Sequence, residues 1–361
     1  MKNQARFRLL GLVGLLAASV ALASCGRRAT AAAGDGTGAA PDKLLYDTAL
    51  ANIEDGKHLV GRLTLQTLMN TYPESEYLAK AKLAIADSYY EEGGASGLLQ
   101  AVAEYQDFIT FFPFLDEAAY AQMQIGMAHY RRMEKADRDN TEAKAAENAF
   151  QVLLQKYEDG AIAAEGQQRL REVQEVLAEG EMGIALFYFI RKADRAALAR
   201  LQRLVNRYPL YSQADRALWT LGAVFERHGG GEEGAAQYFA RIVKDYPLSP
   251  LAAAAKEKLQ RYNVAVPEPD PDALARMQQE AEAPRRRSGL LGRTLGVLKS
   301  GPDVSMAATA GTPTLTPAAD ESQDAPFGAF PGPAGGSQAG ATSGVSVETV
   351  TPTPGQRPPA P

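Results

Sequence analysis

The chain has 361 residues, of which 45% are apolar, so it can bury a core, and its length is that of about two domains. Its formal net charge is only −5 at pH 7, without the clustered basic excess that is typical of nucleic-acid binding. Cys25 is the only cysteine, which excludes an intrachain disulfide. Composition therefore gives no reason to expect a nucleic-acid partner. Without an intrachain disulfide, the stability of the fold must come from the packing of its helices.

The N-terminal residues have the layout of a secretory signal. Basic residues within the first eight precede an apolar run over residues 9–22, and small residues follow. The run is shorter than the roughly 20 residues that span a bilayer. It ends in Leu-Ala-Ser-Cys at residues 22–25, which resembles the bacterial lipobox. The pattern predicts a lipoprotein signal peptide over residues 1–24 and a covalent lipid on Cys25; the alternative is an ordinary signal with a chance cysteine.

The residue after the cysteine bears on localisation. Gly26 stands there rather than Asp, and resemblance to lipoprotein sorting rules then favours the outer membrane, with the chain facing the periplasm. Several acyl chains anchor a protein stably, since each buried methylene contributes about 0.8 kcal/mol and one chain alone is marginal. Residues 25–41 are rich in Ala, Gly and Thr, which predicts a flexible tether. No cofactor other than this lipid is predicted.

Residues 208–247 indicate the architecture. Their pattern is that of two amphipathic helices around a glycine turn at residues 229–231, with a tyrosine-proline pair at each end. The same spacing of two small residues, a bulky apolar residue and a proline recurs: Ala49, Gly61, Leu65, Pro73; Ala185, Ala197, Leu201, Pro209; Ala223, Ala235, Phe239, Pro247. This matches the tetratricopeptide repeat (TPR), in which small residues let paired helices approach closely. We therefore predict an all-α TPR solenoid.

Helix and turn signals divide the predicted solenoid domain, residues 42–263, into about five hairpins. The predicted hairpins cover residues 42–73, 76–113, 116–157, 161–209 and 208–247. The first helix of the fourth hairpin, residues 161–191, is unusually long, and three glycines within it predict bends. A last helix over residues 249–262 is expected to close the exposed apolar end of the solenoid.

The composition changes after Asn263. Fifteen of the 21 prolines lie in residues 267–361, among Gly, Ala, Ser and Thr. Such a chain buries too little apolar surface to offset its backbone entropy, so residues 264–361 are predicted to be a disordered tail. A short helix over residues 288–299 is the alternative for one stretch, because three of its leucines share a helical face, although its glycines disfavour it.

No catalytic or metal-binding pattern is present in the sequence. His58, His129 and His228 fall in different repeats, and no HExxH pair, nucleophile elbow or phosphate-binding loop occurs. We therefore predict no catalytic residue and no metal-binding residue. Because TPR arrays hold extended peptides on their concave face, the sequence indicates a protein that binds rather than catalyses.

With a lipobox, a tether and five hairpins in this order, the chain resembles the BamD family, TPR lipoproteins of the outer-membrane β-barrel assembly complex. The Asp-Arg-Asp-x-Thr linker at residues 137–141 and the long helix of the fourth repeat are the more specific features. Further matching residues are Leu45, Tyr46, Ala49, Gly56, Tyr72, Pro73, Ser75, Tyr77, Phe108, Ile109, Phe112, Pro113, Ala146, Phe150, Leu177, Ala178, Glu181, Tyr188, Ala197, Tyr208 and Pro209. The chain departs from the family at Glu158, where a proline is expected, and at Phe114-Leu115.

The resemblance implies a scaffold without enzymatic activity. Its C-terminal repeats would dock on the POTRA domains of the BamA-like barrel insertase, and its N-terminal repeats would receive unfolded outer-membrane protein precursors. The residues expected to bind precursors are Tyr46, Tyr77, Tyr89 and Tyr90. Those expected to bind an acidic POTRA surface are Arg216 and Arg227.

Two other classes of protein fit part of the pattern. A TPR lipoprotein that scaffolds peptidoglycan or cell-division machinery would share the signal, the repeats and the proline-rich tail, and the linker at residues 137–141 favours the assembly factor over it. An envelope hydrolase with TPR repeats would need a catalytic domain, for which the tail has too few large apolar residues.

Overall fold

The computed structural model describes residues 40–157, 160–227, 231–283 and 301–316. Within these ranges the chain forms helices and no strand, which confirms the all-α class. The helices are α1 (Pro41–Glu54), α2 (His58–Thr71), α3 (Leu78–Glu92), α4 (Gly94–Phe111), α5 (Glu117–Arg132), α6 (Thr141–Lys156), α7 (Ala161–Ile190), α8 (Asp194–Arg207), α9 (Ala214–Arg227), α10 (Gly231–Asp245), α11 (Ala252–Arg261) and α12 (Pro271–Glu282). They form two compact units: the first ends at Ala128 and the second begins at His129.

Several predicted features lie outside the described residues. They are the signal peptide, Cys25, the tether up to residue 39, His228 and the stretch 288–299. The tail from residue 317 onwards lies outside them as well. The domain boundaries given above therefore stay predictions.

Local signals in the sequence explain where the helices of the first unit begin and end. Pro41 occupies the first turn of α1, where its missing N–H costs no hydrogen bond. The chain leaves α2 and α4 just before Pro73 and Pro113, because a proline disfavours the helical conformation of the residue before it. Each of these prolines therefore stands just after the second helix of a TPR-like hairpin, and the paired helices α1 with α2 and α3 with α4 pack against each other.

The small residues of the first repeat bring α1 and α2 into close contact. Ala49 and Leu65 are fully buried. A Cβ atom placed on Gly61 would lie 2.8 Å from the carbonyl oxygen of Ala49 and 2.5 Å from Cγ1 of Ile53. No side chain fits at such distances, so the predicted role of the small residues is confirmed in this hairpin.

The second unit contains the long helix α7, which runs from Ala161 to Ile190 without interruption. Two of its glycines mark close approach of neighbours rather than breaks. A Cβ on Gly166 would lie 2.6 Å from Cδ2 of Leu153, and one on Gly180 would lie 2.7 Å from the carbonyl oxygen of Ala136. Gly166 and Gly180, two of the three glycines predicted to bend the helix, therefore let α6 and the loop before α6 pack against it.

The hairpin α9–α10 packs around the ring of Phe239, which is 1% exposed. Trp219 meets this ring edge-on, with centroids 5.1 Å apart. A Cβ on Gly222 would lie only 2.5 Å from Cζ of Phe239. Ala223, the small residue predicted from the repeat spacing, is only half-buried. The position at which α9 comes closest to the ring of Phe239 is therefore the adjacent residue, Gly222.

Two ordered elements follow α11 within residues 264–361, the stretch predicted from its composition to be a disordered tail. Helix α12 begins at Pro271 and is capped by Asp270, whose side chain accepts hydrogen bonds from the backbone N–H groups of Asp272 and Ala273. It docks on α10, since Arg276 donates to the carbonyl oxygen of Asp245 at 3.1 Å. Residues 301–316 then lie on the second unit through the contacts described below.

Candidate partner-binding surfaces

Tyr46 of α1 and Tyr77, directly before α3, form an aromatic pair in the first unit. Their ring centroids are 5.2 Å apart, and both side chains are half-buried against the core of the first hairpins. Burial raises the pKa of Tyr46, with the charges of Asp87 and Asp47 acting in the same direction. The structure thus brings together two of the four tyrosines predicted to bind precursors, with part of each ring open to a ligand.

Tyr89 and Tyr90 have different surroundings. The guanidinium of Arg62 lies over the ring of Tyr89, 3.9 Å from its centroid, and forms an ion pair with Glu92 at 2.7 Å. Arg62 is itself only 6% exposed, so Tyr89 takes part in packing between α2 and α3. Tyr90 is half-buried on the same helix.

A polar cluster that the sequence analysis missed lies on α3. Asp87 accepts hydrogen bonds from the hydroxyl groups of Tyr105, at 2.6 Å, and of Tyr120, at 3.0 Å. Burial raises the pKa of Asp87, while these two hydrogen bonds act in the opposite direction. An isolated aspartate has no sequence signature for this role, because its partners come from two other helices.

The two arginines predicted to meet a partner differ in availability. Arg216 is exposed on the first turn of α9, where its guanidinium donates to the side chain of Gln213 at 3.2 Å. The side chain of Arg227 is 37% exposed but is held in an ion pair: its guanidinium binds both carboxylate oxygens of Asp194, which is almost fully buried. Arg227 therefore connects α9 to the start of α8, and Arg216 presents the freer charge.

The C-terminal half of α7 presents an apolar stripe that the sequence analysis did not single out. Ile184, Phe187 and Ile190 recur every three residues and are 42%, 50% and 77% exposed. Beside the stripe lies a cavity of about 910 Å³, whose lining includes Asp137 and Arg138 of the predicted linker motif. Neighbouring exposed apolar residues of this kind make the stripe a candidate for a partner contact.

The described residues show no group of side chains that could hold a metal ion. His58 and His129 each contact a neighbouring side chain, Ser88 at 3.3 Å and Glu142 at 2.8 Å. Among the described helices, none is both long and apolar enough to cross a membrane. The observed features are thus aromatic, apolar and charged surfaces on a helical scaffold.

Consecutive helical hairpins with such surfaces define a TPR-like binding protein. Comparison with known families gives its family. The family model described as "YfiO: Outer membrane lipoprotein" matches residues 38–237. The chain belongs to this family of outer membrane lipoproteins, which confirms the predicted relationship to BamD.

Curated relatives of the chain are named "Outer membrane protein assembly factor BamD". The protein of Xylella fastidiosa strain 9a5c is 26% identical over 248 residues, which cover 65% of this chain and 83% of the relative. That of Vibrio cholerae is 28% identical over 188 residues, covering 49% and 77%. That of Rickettsia prowazekii is 22% identical over 223 residues, covering 62% and 87%. Neither lipoprotein nor assembly factor describes an enzyme, in agreement with the prediction that the chain binds rather than catalyses.

Proposed function

We propose that this protein is a scaffold of the machinery that assembles β-barrel proteins in the outer membrane. In this role it binds the POTRA domains of the barrel insertase and unfolded barrel precursors. The observation that carries the proposal is the family match over residues 38–237, together with relatives that are named assembly factors. The surfaces described above supply the two kinds of contact that such a scaffold needs.

The proposed POTRA contact lies on the second unit and centres on Arg216. Its guanidinium is exposed and donates to the neutral side chain of Gln213, so it can also bind a carboxylate of the partner. The ion pair of Arg227 with Asp194 leaves that arginine a supporting role. The stripe formed by Ile184, Phe187 and Ile190 adds apolar area to the same unit.

We expect Arg216→Glu to weaken binding of the purified protein to the insertase's POTRA domains by about tenfold or more, because an attractive charge becomes a repulsive one. Biolayer interferometry measures the dissociation constants. Lys256→Glu is the matched control, since Lys256 is an exposed residue of α11 and the charge change is the same. Equal affinities of the two variants would contradict the proposed contact.

The proposed precursor contact lies on the first unit, at the pair formed by Tyr46 and Tyr77. A half-exposed aromatic pair can stack on the terminal aromatic residue of an extended strand. The nearby carboxylate of Asp47 is exposed and offers an acceptor to the strand's backbone N–H groups. Tyr89 and Tyr90 support the surrounding packing in this proposal.

Tyr77→Ala is expected to weaken binding of a peptide from the last strand of a barrel protein, ending in phenylalanine, by about fivefold. Fluorescence anisotropy with the labelled peptide measures the change. Phe114→Ala serves as control, because Phe114 is 98% exposed in the same unit and lies outside the pair. If the peptide binds the Tyr77→Ala variant as tightly as the parent, the aromatic pair is not the site.

The anchor completes the proposal. Cys25 lies outside the described residues, and we propose that it carries the lipid that holds the protein on the periplasmic face of the outer membrane. Mass spectrometry of the N-terminal peptide from purified membranes tests this directly. A mature chain that starts at an acylated Cys25 supports it, and an unmodified Cys25 would overturn it.

A further inference from the structure

Residues 301–316, here called the tail segment, lie against the second unit without forming a helix or strand. Their contacts come from side chains of α6, α7 and α12 and from the end of α8. Most of these contacts are made to the backbone of the tail segment rather than to its side chains. The tail segment is therefore held in the manner of a bound extended peptide.

Three glutamines of α6 and α7 bind one end of the tail segment. Gln151 donates to the carbonyl oxygen of Thr314 at 3.1 Å, and Gln174 donates to the same oxygen at 2.8 Å. The backbone N–H of Thr314 donates back to Oε1 of Gln174 at 3.2 Å. Gln155 donates to the carbonyl oxygen of Leu315 at 2.9 Å. This pattern satisfies the backbone of an extended chain without requiring a particular side chain.

Charged side chains bind the middle of the tail segment. Arg171 donates from Nε to the carbonyl oxygen of Ala308 at 3.0 Å and from Nη1 to that of Gly311 at 2.9 Å. Glu280 of α12 accepts the backbone N–H of Ala310 at 2.6 Å. Hydrogen bonds with one charged partner are stronger than neutral ones, so Arg171 and Glu280 hold the backbone firmly.

Two of the three glutamines, Gln151 and Gln174, are buried, and Gln174 belongs to a buried polar network. Gln151 is 2% exposed and Gln174 5% exposed. Gln174 also donates to Glu147 at 3.2 Å, and Glu147 is paired with Arg207 at 2.8 Å. The hydroxyl of Thr314 donates to the carbonyl oxygen of Arg207 at 2.7 Å. Because buried amides must be hydrogen-bonded, the tail segment and these side chains satisfy each other.

The shape of the contact selects small residues. Ala307 and Pro313 are buried, whereas Met306 is 55% exposed. Gly311 has a φ of +92°, and a Cβ atom on it would lie 2.9 Å from Cδ of Arg276. The positive φ favours glycine at this position, and a side chain there would also require Arg276 to shift.

We propose that the side chains of Gln151, Gln155, Arg171 and Gln174, here called the tail groove, form a binding site for extended polypeptide. The ligand is a segment of small residues and proline, bound through its backbone, and residues 307–316 of the chain itself are its intramolecular ligand. A segment of another protein with this composition binds by displacing the tail segment. The proposal does not depend on POTRA docking, because purified protein alone suffices to test it.

The covalent connection makes the tail segment a strong competitor. An attached ligand acts at an effective concentration on the order of mM, whatever the affinity of the free peptide. The intact chain should therefore bind external peptide weakly, and removal of the internal ligand should expose the site.

The test uses a fluorescent peptide with the sequence of residues 301–316 and measures its binding by anisotropy. It compares the unmodified chain with a full-length chain in which residues 307–316 are replaced by Gly-Ser repeats. In the replaced chain, Arg171→Ala removes two carbonyl contacts of the tail groove. Arg169→Ala is its matched control, because Arg169 lies on the same helix and pairs with Glu165 and Glu172 instead.

We expect the replaced chain to bind the peptide at least about tenfold more tightly than the unmodified chain. Arg171→Ala should weaken that binding about fivefold, and Arg169→Ala should change it less than about twofold. The proposal is overturned if the replaced chain does not bind the peptide, if it binds no better than the unmodified chain, or if both arginine variants bind alike.

A second measurement does not depend on the folding of any variant. In the unmodified chain the backbone N–H of Thr314 donates to Gln174 and that of Ala310 to Glu280, so both should be protected from hydrogen exchange. Exchange of both amides at the rate of an unstructured peptide would overturn the proposal.

Discussion

Arg207→Ala is expected to lower the free energy of unfolding by about 3–5 kcal/mol. The guanidinium of Arg207 lies 2.8 Å from the carboxylate of Glu147, and the two side chains are 15% and 3% exposed. Removing the arginine leaves a buried carboxylate without its charge partner, a far larger loss than that of an exposed pair. Urea unfolding followed by circular dichroism measures the change.

The effect should also depend on pH. Burial raises the pKa of Glu147, and Arg207 acts against this rise, so the pKa of Glu147 rises further in the variant. When the pKa of a carboxyl group is higher in the folded than in the unfolded chain, the free energy of unfolding falls as the pH rises through the pKa of the folded chain. The destabilisation should therefore be larger near pH 8 than near pH 5, where the folded carboxyl group takes up a proton.

Two further variants separate this cause from others. Arg138→Ala removes an exposed pair with Glu134, at 4.0 Å, and should cost no more than about 1 kcal/mol. Adding Glu147→Gln to Arg207→Ala removes the unpaired charge and should recover much of the lost stability. An Arg207→Ala variant that is no less stable than the Arg138→Ala variant would show that the buried pair does not stabilise the second unit.

Gly222→Val is expected to destabilise the second unit by about 1–3 kcal/mol. The Cβ would lie 2.5, 2.8 and 2.9 Å from three atoms of the ring of Phe239. That ring cannot move away easily, because Trp219 and Tyr262 contact it, with centroids 5.1 and 6.3 Å distant. Thermal unfolding should show a lower midpoint than that of the parent.

Gly183→Val is the matched control for this substitution. Gly183 lies in α7 of the same unit, and a Cβ placed there would meet nothing within 4 Å. Valine has a somewhat better helix propensity than glycine, so the stability should change by less than about 0.5 kcal/mol. Equal midpoints for the two valine variants would contradict the packing described for α9 and α10.

The repeat architecture could be predicted from the sequence because its signals are local. Pro73 and Pro113 end helices through their own geometry, and the spacing between Ala49 and Gly61 follows from the length of one hairpin. The same spacing selected Ala223, whereas the ring of Phe239 lies on Gly222. A fixed spacing therefore identifies the turn of α9 that approaches α10. It does not tell which of the two adjacent small residues, Gly222 or Ala223, faces that helix.

The groove and the tail segment could not be predicted in this way. Disorder after Asn263 was predicted from the average composition of the whole stretch. That average hides a local helix start signal, the capping residue Asp270 followed by Pro271 at the start of α12. Gln151 and Gln174 bind backbone carbonyl groups of the tail segment. Every residue has such a carbonyl group, so the side chains of the tail segment give no signal from which the contact could be predicted. Likewise, the sequence could not tell that Arg227 is paired with Asp194, since that partner lies 33 residues away on another helix.

The decisive experiment for the proposed function is co-purification of the tagged full-length protein from detergent-solubilised envelopes of its own organism. We expect a barrel protein with POTRA domains to be recovered with the parent chain and with the Lys256→Glu variant, and to be depleted with Arg216→Glu. Recovery of cell-wall or cell-division proteins, with no POTRA protein from any of the three chains, would contradict the proposal.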